Sequence, residues 1–332
     1  MAGLFVQKHV EAVRAQGVDV RVISSQGCRD LWQQWRALRR EGWMPDVVQL
    51  NVIQKQGLLA LWLKKRYNIP YVIVEHWSGY LPENGQYLQM SRLKRTLYER
   101  IAAKASMILT VSDRHAQAMQ DCGIRNDHWG RTNNVVDDFF FENNPNNLNN
   151  PNNLKTLIHV SCFDERAKNV KGLLRAAKTL SEQRQDWRLV LVGTGVDYKE
   201  VRAYAESLNI PERLLEWTGE LTPREVSEAF DKADAFVLSS LYENAPVVIS
   251  ESLAKGVPVI ATRVGGIPEM VNEQCGILVT PGKDEELAEA MNTMLDRLSE
   301  YARAEIRKNG RRYSFAAVGA QLKAIYDNCV LN

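Results

Sequence analysis

The sequence predicts an α/β protein built as two doubly wound domains in series. Three observations carry this. Short β-rich runs alternate with helix-length segments; the alternation is broken once by an Asn/Pro-rich stretch and then restarts; and 332 residues suit about two domains of ordinary size.

Taken in order, the chain opens on a helical pattern at 4–16 with no strand ahead of it. VDVRVIS at 18–24, DVVQLN at 46–51, YVIVEH at 71–76 and MILTVS at 107–112 read as strands of a parallel sheet. An open α/β domain normally begins with a strand and a glycine turn, so the first domain is expected to lack its opening strand. Residues 142–154, ENNPNNLNNPNNL, hold almost nothing that packs and read as a linker or exposed loop. Strands then resume with TLIHVS at 156–161, WRLVLVG at 187–193, LLEWTG at 214–219, AFVLSS at 235–240, VPVIAT at 257–262 and GILV at 276–279. Thr222, Pro223 and Glu225 spell a capping box with proline at the first helical position. After 283 the pattern is mostly helical, and a last helix near 313–328 is expected to return to the first domain. The expected layout is a first domain over 1–141, a linker over 142–154, a second domain over 155–311 and a C-terminal segment over 312–332. Ligands of such folds bind beyond the carboxyl ends of the strands, so function is sought on the loops that follow strands.

Composition narrows the partners. Forty-two Lys and Arg against forty Asp and Glu leave +2, which gives no electrostatic footprint for nucleic acid. Five scattered cysteines form no CxxC pair, so neither a zinc site nor a disulfide scaffold is expected, and a reducing compartment fits. No apolar run approaches the ~20 residues that span a bilayer. The expected location is cytoplasmic, or peripheral at the inner face of the membrane.

The densest chemistry lies in LYENAPVVISESLAKGVPVIATRVGGIPE, residues 241–269. Glu243 follows the strand AFVLSS; Pro246 precedes a helix that starts near Val247; Glu251 lies eight residues after Glu243. A helix start presents unpaired N–H groups, so backbone near Asn244, Ala245, Pro246 and Val247 suits a phosphate or diphosphate. Glu251, about one turn inside the helix, suits the hydroxyls of a ribose. Alone, two glutamates at this spacing fit a solvated helix face better. Gly256, Pro258, Gly265, Gly266 and Pro268 shift the balance, because glycines permit close backbone approach to a ligand.

As a block, ENAPVVISE, AKGVPV and GGIPE resemble the donor-nucleotide signature of glycosyltransferase family 4, retaining sugar transferases of the GT-B fold. The resemblance covers most of the chain and is strongest over 156–282. It implies two Rossmann-like doubly wound domains facing a cleft, with Glu243 at the donor sugar and Glu251 at the ribose. HVSCFDERAKNVKGLL at 159–174 resembles the segment that reaches the diphosphate with an Arg and a Lys. Lys168 matches the lysine, whose charge helps the nucleoside diphosphate depart. Cys162 stands at the arginine position, and Arg166 is the substitute candidate. Gly193 and Gly195 of LVLVGTG resemble the family's glycine turn, and Gly219 is placed near the nucleobase. His76, after the strand YVIV, matches a histidine near the reacting sugar, flanked by Glu75 and Trp77. The catalytic set implied is Glu243, His76 and Lys168. No cofactor is expected, the nucleotide sugar being a substrate. No Asp-x-Asp pair occurs, so metal-independent stabilisation is expected.

The acceptor class implied is a glycan or a lipid-linked molecule. Residues 91–106 read as a helix carrying Arg92, Lys94, Arg95, Arg100 and Lys104 against Glu99, a pattern that suits an anionic membrane surface and equally a solvated face. The missing opening strand supports a rival reading, a nucleotide-sugar-binding or scaffold protein without turnover. A sugar-nucleotide epimerase of similar fold is a second.

Overall fold

The computed structural model describes residues 2–24, 27–142 and 154–331. The chain forms two compact units, Met1–Val135 with Phe315–Asn332, and Val136–Ser314.

The first unit holds a parallel sheet of β1 (Val48–Asn51), β2 (Tyr71–Glu75), β3 (Met107–Thr110) and β4 (Trp129–Arg131), in the order β1-β2-β3-β4. All five residues of β2 are buried. That follows from a period of two: Ile73 packs with Leu50, Ile101 and Ile108 on one side, and Val74 packs with Ala12, Leu109 and Val318 on the other. The helices of this unit are α1 (Ala2–Arg14), α2 (Cys28–Arg40), α3 (Gly57–Tyr67), α4 (Arg92–Lys104) and α5 (Asp113–Asp121). The last helix of the chain, Phe315–Leu331, packs on α1, where a Cβ on Gly319 would meet the Ala12 carbonyl at 2.3 Å.

Two sequence expectations are corrected here. Residues 18–24 form no strand. Their burial alternates in part as a strand's does, but β1 pairs only with β2, and among the described residues no ladder joins 18–24 to the sheet. β4 was not expected: WGR has no alternation to read, and it pairs because β3 presents a free edge. The linker expected at 142–154 lies, over 143–153, outside the described residues.

The second unit is a six-stranded parallel sheet of β5 (Lys155–Val160), β6 (Trp187–Val192), β7 (Leu215–Gly219), β8 (Ala235–Leu238), β9 (Val259–Thr262) and β10 (Gly276–Val279). Its order is β10-β9-β8-β5-β6-β7. The helices are α6 (Glu165–Lys168), α7 (Val170–Gln183), α8 (Tyr198–Ser207), α9 (Pro223–Asp231), α10 (Val247–Lys255), α11 (Ile267–Met270), α12 (Asp284–Asp296) and α13 (Arg303–Gly310); the chain ends with Phe315–Leu331, which is α14. One core layer joins α7, α8 and α12 to the sheet; the other joins α9, α10 and α13. The expected capping box at Thr222 is formed, with both of its reciprocal hydrogen bonds.

From β5 the chain runs outward through β6 and β7, then returns to the other side of β5 at β8. This reversal puts the loops after β5 and β8 side by side, the topological switch point where ligands of open α/β sheets bind.

Candidate functional site

At that switch point the loop after β5 folds into the single turn α6, ending at Lys168, and the loop after β8 runs through Glu243 to the start of α10. Three hydrogen bonds stitch them. Ser239 Oγ donates to the carbonyls of Lys168 (2.8 Å) and Asn169 (3.1 Å), and the Leu241 amide donates to the Ala167 carbonyl at 2.7 Å. Asn169 carries a left-handed φ of 48°, which ends α6 and aims α7 back into the core.

Across this seam Lys168 Nζ forms an ion pair with Glu243 Oε1, with side chains only 17% and 11% exposed. Ser240 Oγ donates to the same oxygen at 2.8 Å. Burial alone lowers the Lys168 pKa, but the charge and hydrogen bond of Glu243 outweigh it and the ammonium ends above its ordinary range. The lysine is therefore a fixed cation with three N–H donors, one of them committed to Glu243.

Behind the pair, His159 is fully buried in β5. Its Nδ1 donates to the Val237 carbonyl at 2.9 Å, so its Nε2 accepts from Ser161 Oγ at 2.8 Å. Burial, helped by the nearby Lys168 charge, lowers its pKa to about 4. His159 is a neutral support for the loop that leads to α6. Sequence reasoning missed it and Ser240, because both lie inside runs that read only as core strand.

Asn244, Ala245 and Pro246 lead into α10, whose first residue is Val247 and whose start carries no side-chain cap. Glu251 is half-buried on the second turn of that helix. Arg166 is exposed on α6, two residues from Lys168 and so on a different side of the turn. Cys162 is an exposed free thiol whose charge, when ionised, bears on Lys168.

The glycines expected near the donor also make close approaches within the chain itself. A Cβ on Gly265 (φ 51°) would lie 1.5 Å from the Glu243 carbonyl oxygen, and the Gly266 amide donates to the Asn244 carbonyl at 2.7 Å. The close approach there is the loop's own backbone, holding Glu243 in place. Gly193 likewise meets the Ser161 carbonyl, and Gly195 meets the backbone of Phe163. Gly219 (φ 73°) has open space around it and accepts from the Gly193 amide at 2.7 Å.

In the first unit, His76 follows β2 and is partly buried between Phe5 (ring centroids 5.7 Å, 13°) and His9 (5.5 Å) of α1. Burial lowers its pKa to about 3, with positive charge on His9 and His115 adding to the effect, so at neutral pH the ring is an uncharged hydrogen-bonding group. Beside it Glu75 is fully buried, and burial raises its pKa to about 7 against three backbone hydrogen bonds. His115, lowered to about 4 by burial, donates through Nε2 to the Trp77 carbonyl at 3.0 Å.

Residues 140–313, just over half of the chain, match the model of the family described as glycosyl transferases group 1, and 7–130 match a glycosyl transferase 4-like domain. Among curated relatives, MMP alpha-(1->4)-mannosyltransferase of Mycolicibacterium hassiacum is 29% identical over 181 residues, covering 52% of this chain and 43% of the relative. D-inositol 3-phosphate glycosyltransferase of Corynebacterium glutamicum is 30% identical over 189 residues, covering 52% and 44%. The chain thus spans less than half the length of these two relatives. Among solved structures, sucrose-phosphate synthase of Thermosynechococcus elongatus superposes with a TM-score of 0.76 at 20% identity, covering 98% of this chain and 92% of that one. Anabaena HepE in complex with UDP gives 0.76 at 20% identity, covering 90% and 82%. The fold is that of the GT-B glycosyltransferases, two α/β units each with a parallel sheet. By its matched sequence, the chain belongs to the glycosyl transferases group 1 family.

Proposed function

We propose that this chain is a retaining, metal-independent hexosyltransferase that moves a sugar from a nucleoside diphosphate donor to a glycan or lipid-linked acceptor. The observation that carries the reading is the Lys168–Glu243 pair, held at the switch point beside the uncapped start of α10. A charged lysine and helix-start amides suit a diphosphate, before and during its departure. Glu251 on α10 serves the ribose, Glu243 the transferred sugar, and His76 a sugar hydroxyl. HepE has been solved with UDP and with UDP-glucose, which supports a nucleotide sugar as the donor. The sugar departs and the acceptor attacks on the same face, the leaving phosphate taking the acceptor proton.

A thermal-shift screen of nucleotide sugars, followed by transfer assays with an acceptor panel, tests the reading. A preferred donor at about a hundredfold its Kd should add ~2.7 kcal/mol of stability. Binding without turnover would identify a nucleotide-sugar-binding protein, and a new sugar formed with no acceptor would identify an epimerase. A covalent sugar adduct on the enzyme would overturn same-face transfer.

Among the described residues no helix is long and apolar enough to cross a membrane. The proposed route to a lipid-linked acceptor is α4, where Leu93 is 86% exposed between exposed Arg92 and Lys94. We expect Arg92→Glu/Lys94→Glu to release the protein from anionic liposomes in sedimentation; undiminished binding would discard this surface.

A further inference from the structure

Glu75 closes β2 as a carboxylate with no exposure. Burying a charge is costly unless something in the fold uses it. Here it gathers three backbone donors from two separate segments. Oε2 accepts from the Ile53 amide at 2.9 Å, in the turn after β1; Oε1 accepts from the amides of His76 (3.0 Å) and Trp77 (2.9 Å).

The first of these bonds spans a strained turn. Ile53 is presented by Val52, which has φ 63°, a left-handed conformation that β-branched residues rarely adopt. Val52 is held from the other side by its own amide, which donates to the Val74 carbonyl at 2.9 Å. The segment after β2 is fixed just as firmly: the Trp77 carbonyl takes the His115 hydrogen bond, and Gly79 leaves room for the Trp77 ring, where a Cβ would lie 2.0 Å away.

We propose that Glu75 is a positioning residue for sugar transfer: its carboxylate ties the turn at Val52–Ile53 to the His76–Trp77 segment and so sets where the His76 ring lies. This rests on the role assigned to His76 above. The ionised group, an acceptor only, satisfies all three amides; protonation turns one oxygen into a donor facing an N–H. With a pKa raised to about 7, the geometry is complete on the alkaline side and loosens as pH falls through that value. The titratable groups near Glu75 are His76, His9 and His115, all lowered by burial, and Tyr80 and Tyr98, both raised by it, so burial moves each of them away from that window.

Glu75→Gln tests this, since an amide supplies one acceptor and a donor that opposes an N–H. We expect kcat to fall about 10–100-fold with the KM for the nucleotide sugar nearly unchanged, and the acid limb of kcat near neutrality to disappear. Should Glu75→Gln fold poorly, Val52→Gly/Glu75→Gln relieves the strained turn and is expected to show the same loss. Histidine-selective NMR reads His76 without turnover; its signal should shift and its pKa rise toward the ordinary value in either variant. Active enzyme whose kcat, pH limb and His76 signal all survive the substitution overturns the proposal. If the wild-type protein itself transfers no sugar, a displaced His76 signal in Glu75→Gln keeps the tie between Glu75 and the His76 ring and overturns the reading of function instead.

Discussion

Lys168→Met is expected to slow the proposed sugar transfer by about 10²–10³-fold while leaving the protein folded. Methionine keeps an unbranched stem and removes the charge together with its N–H donors. The ammonium it replaces is paired to Glu243 and held above its ordinary pKa range, so it is cationic throughout the working pH range. A preorganised charge in a shielded site acts most strongly where negative charge develops, and losing one such group typically costs that factor. Glu243 would keep only its Ser240 hydrogen bond and would face an anionic donor as a bare carboxylate. The loss should therefore exceed what a missing contact explains, and Lys168→Met/Glu243→Gln should be less impaired than the two single effects predict, by about 0.5–3 kcal/mol of coupling. Steady-state kinetics with calorimetry of the nucleoside diphosphate separates the steps: kcat should drop more than donor affinity. Transfer within threefold of wild type in Lys168→Met would remove the lysine from the chemistry.

How much of this site could be read from the chain depends on the range over which each signal acts. The start of α10 was legible because Pro246 and the apolar run after it are local, as was the Thr222 capping box. The strand expected at 18–24 failed because alternation reports which side chains face inward and says nothing about whether the backbone enters a ladder. β4, three residues long, had the edge without the alternation. The same asymmetry runs through the site. Lys168 and Glu243 were each legible from their motifs, but the bond between them depends on strand order: β8 lies beside β5 because the chain doubles back after β7. His159, Ser240 and Glu75 were illegible as a group. Each sits at or near the end of an apolar strand, and only the paired structure shows that its polar atoms are spent on holding loops.

Gly265→Ala is expected to be the most damaging single-methyl change in the second unit. Two penalties coincide there. The residue has φ 51°, where an L side chain is strained, and its Cβ would lie 1.5 Å from the Glu243 carbonyl oxygen, far inside any tolerable contact. The atom in the way is backbone, so no rotamer change relieves it; the loop from Glu243 through Asn244 must move, and the 2.7 Å bond from Gly266 to Asn244 must stretch with it. Gly219→Ala provides the control, because φ is 73° but nothing lies within 4 Å of its Cβ. It should cost only the conformational term, ~1–2 kcal/mol, whereas Gly265→Ala should cost on the order of 3 kcal/mol and lower transfer by at least ~10²-fold through misplacement of Glu243. Denaturant melts and kinetics on the two variants isolate the contact from the dihedral. Equal behaviour of the pair would mean that the glycine at 265 serves only its own turn, and that Glu243 is placed by Lys168 and Ser240 without help from the chain that passes behind it.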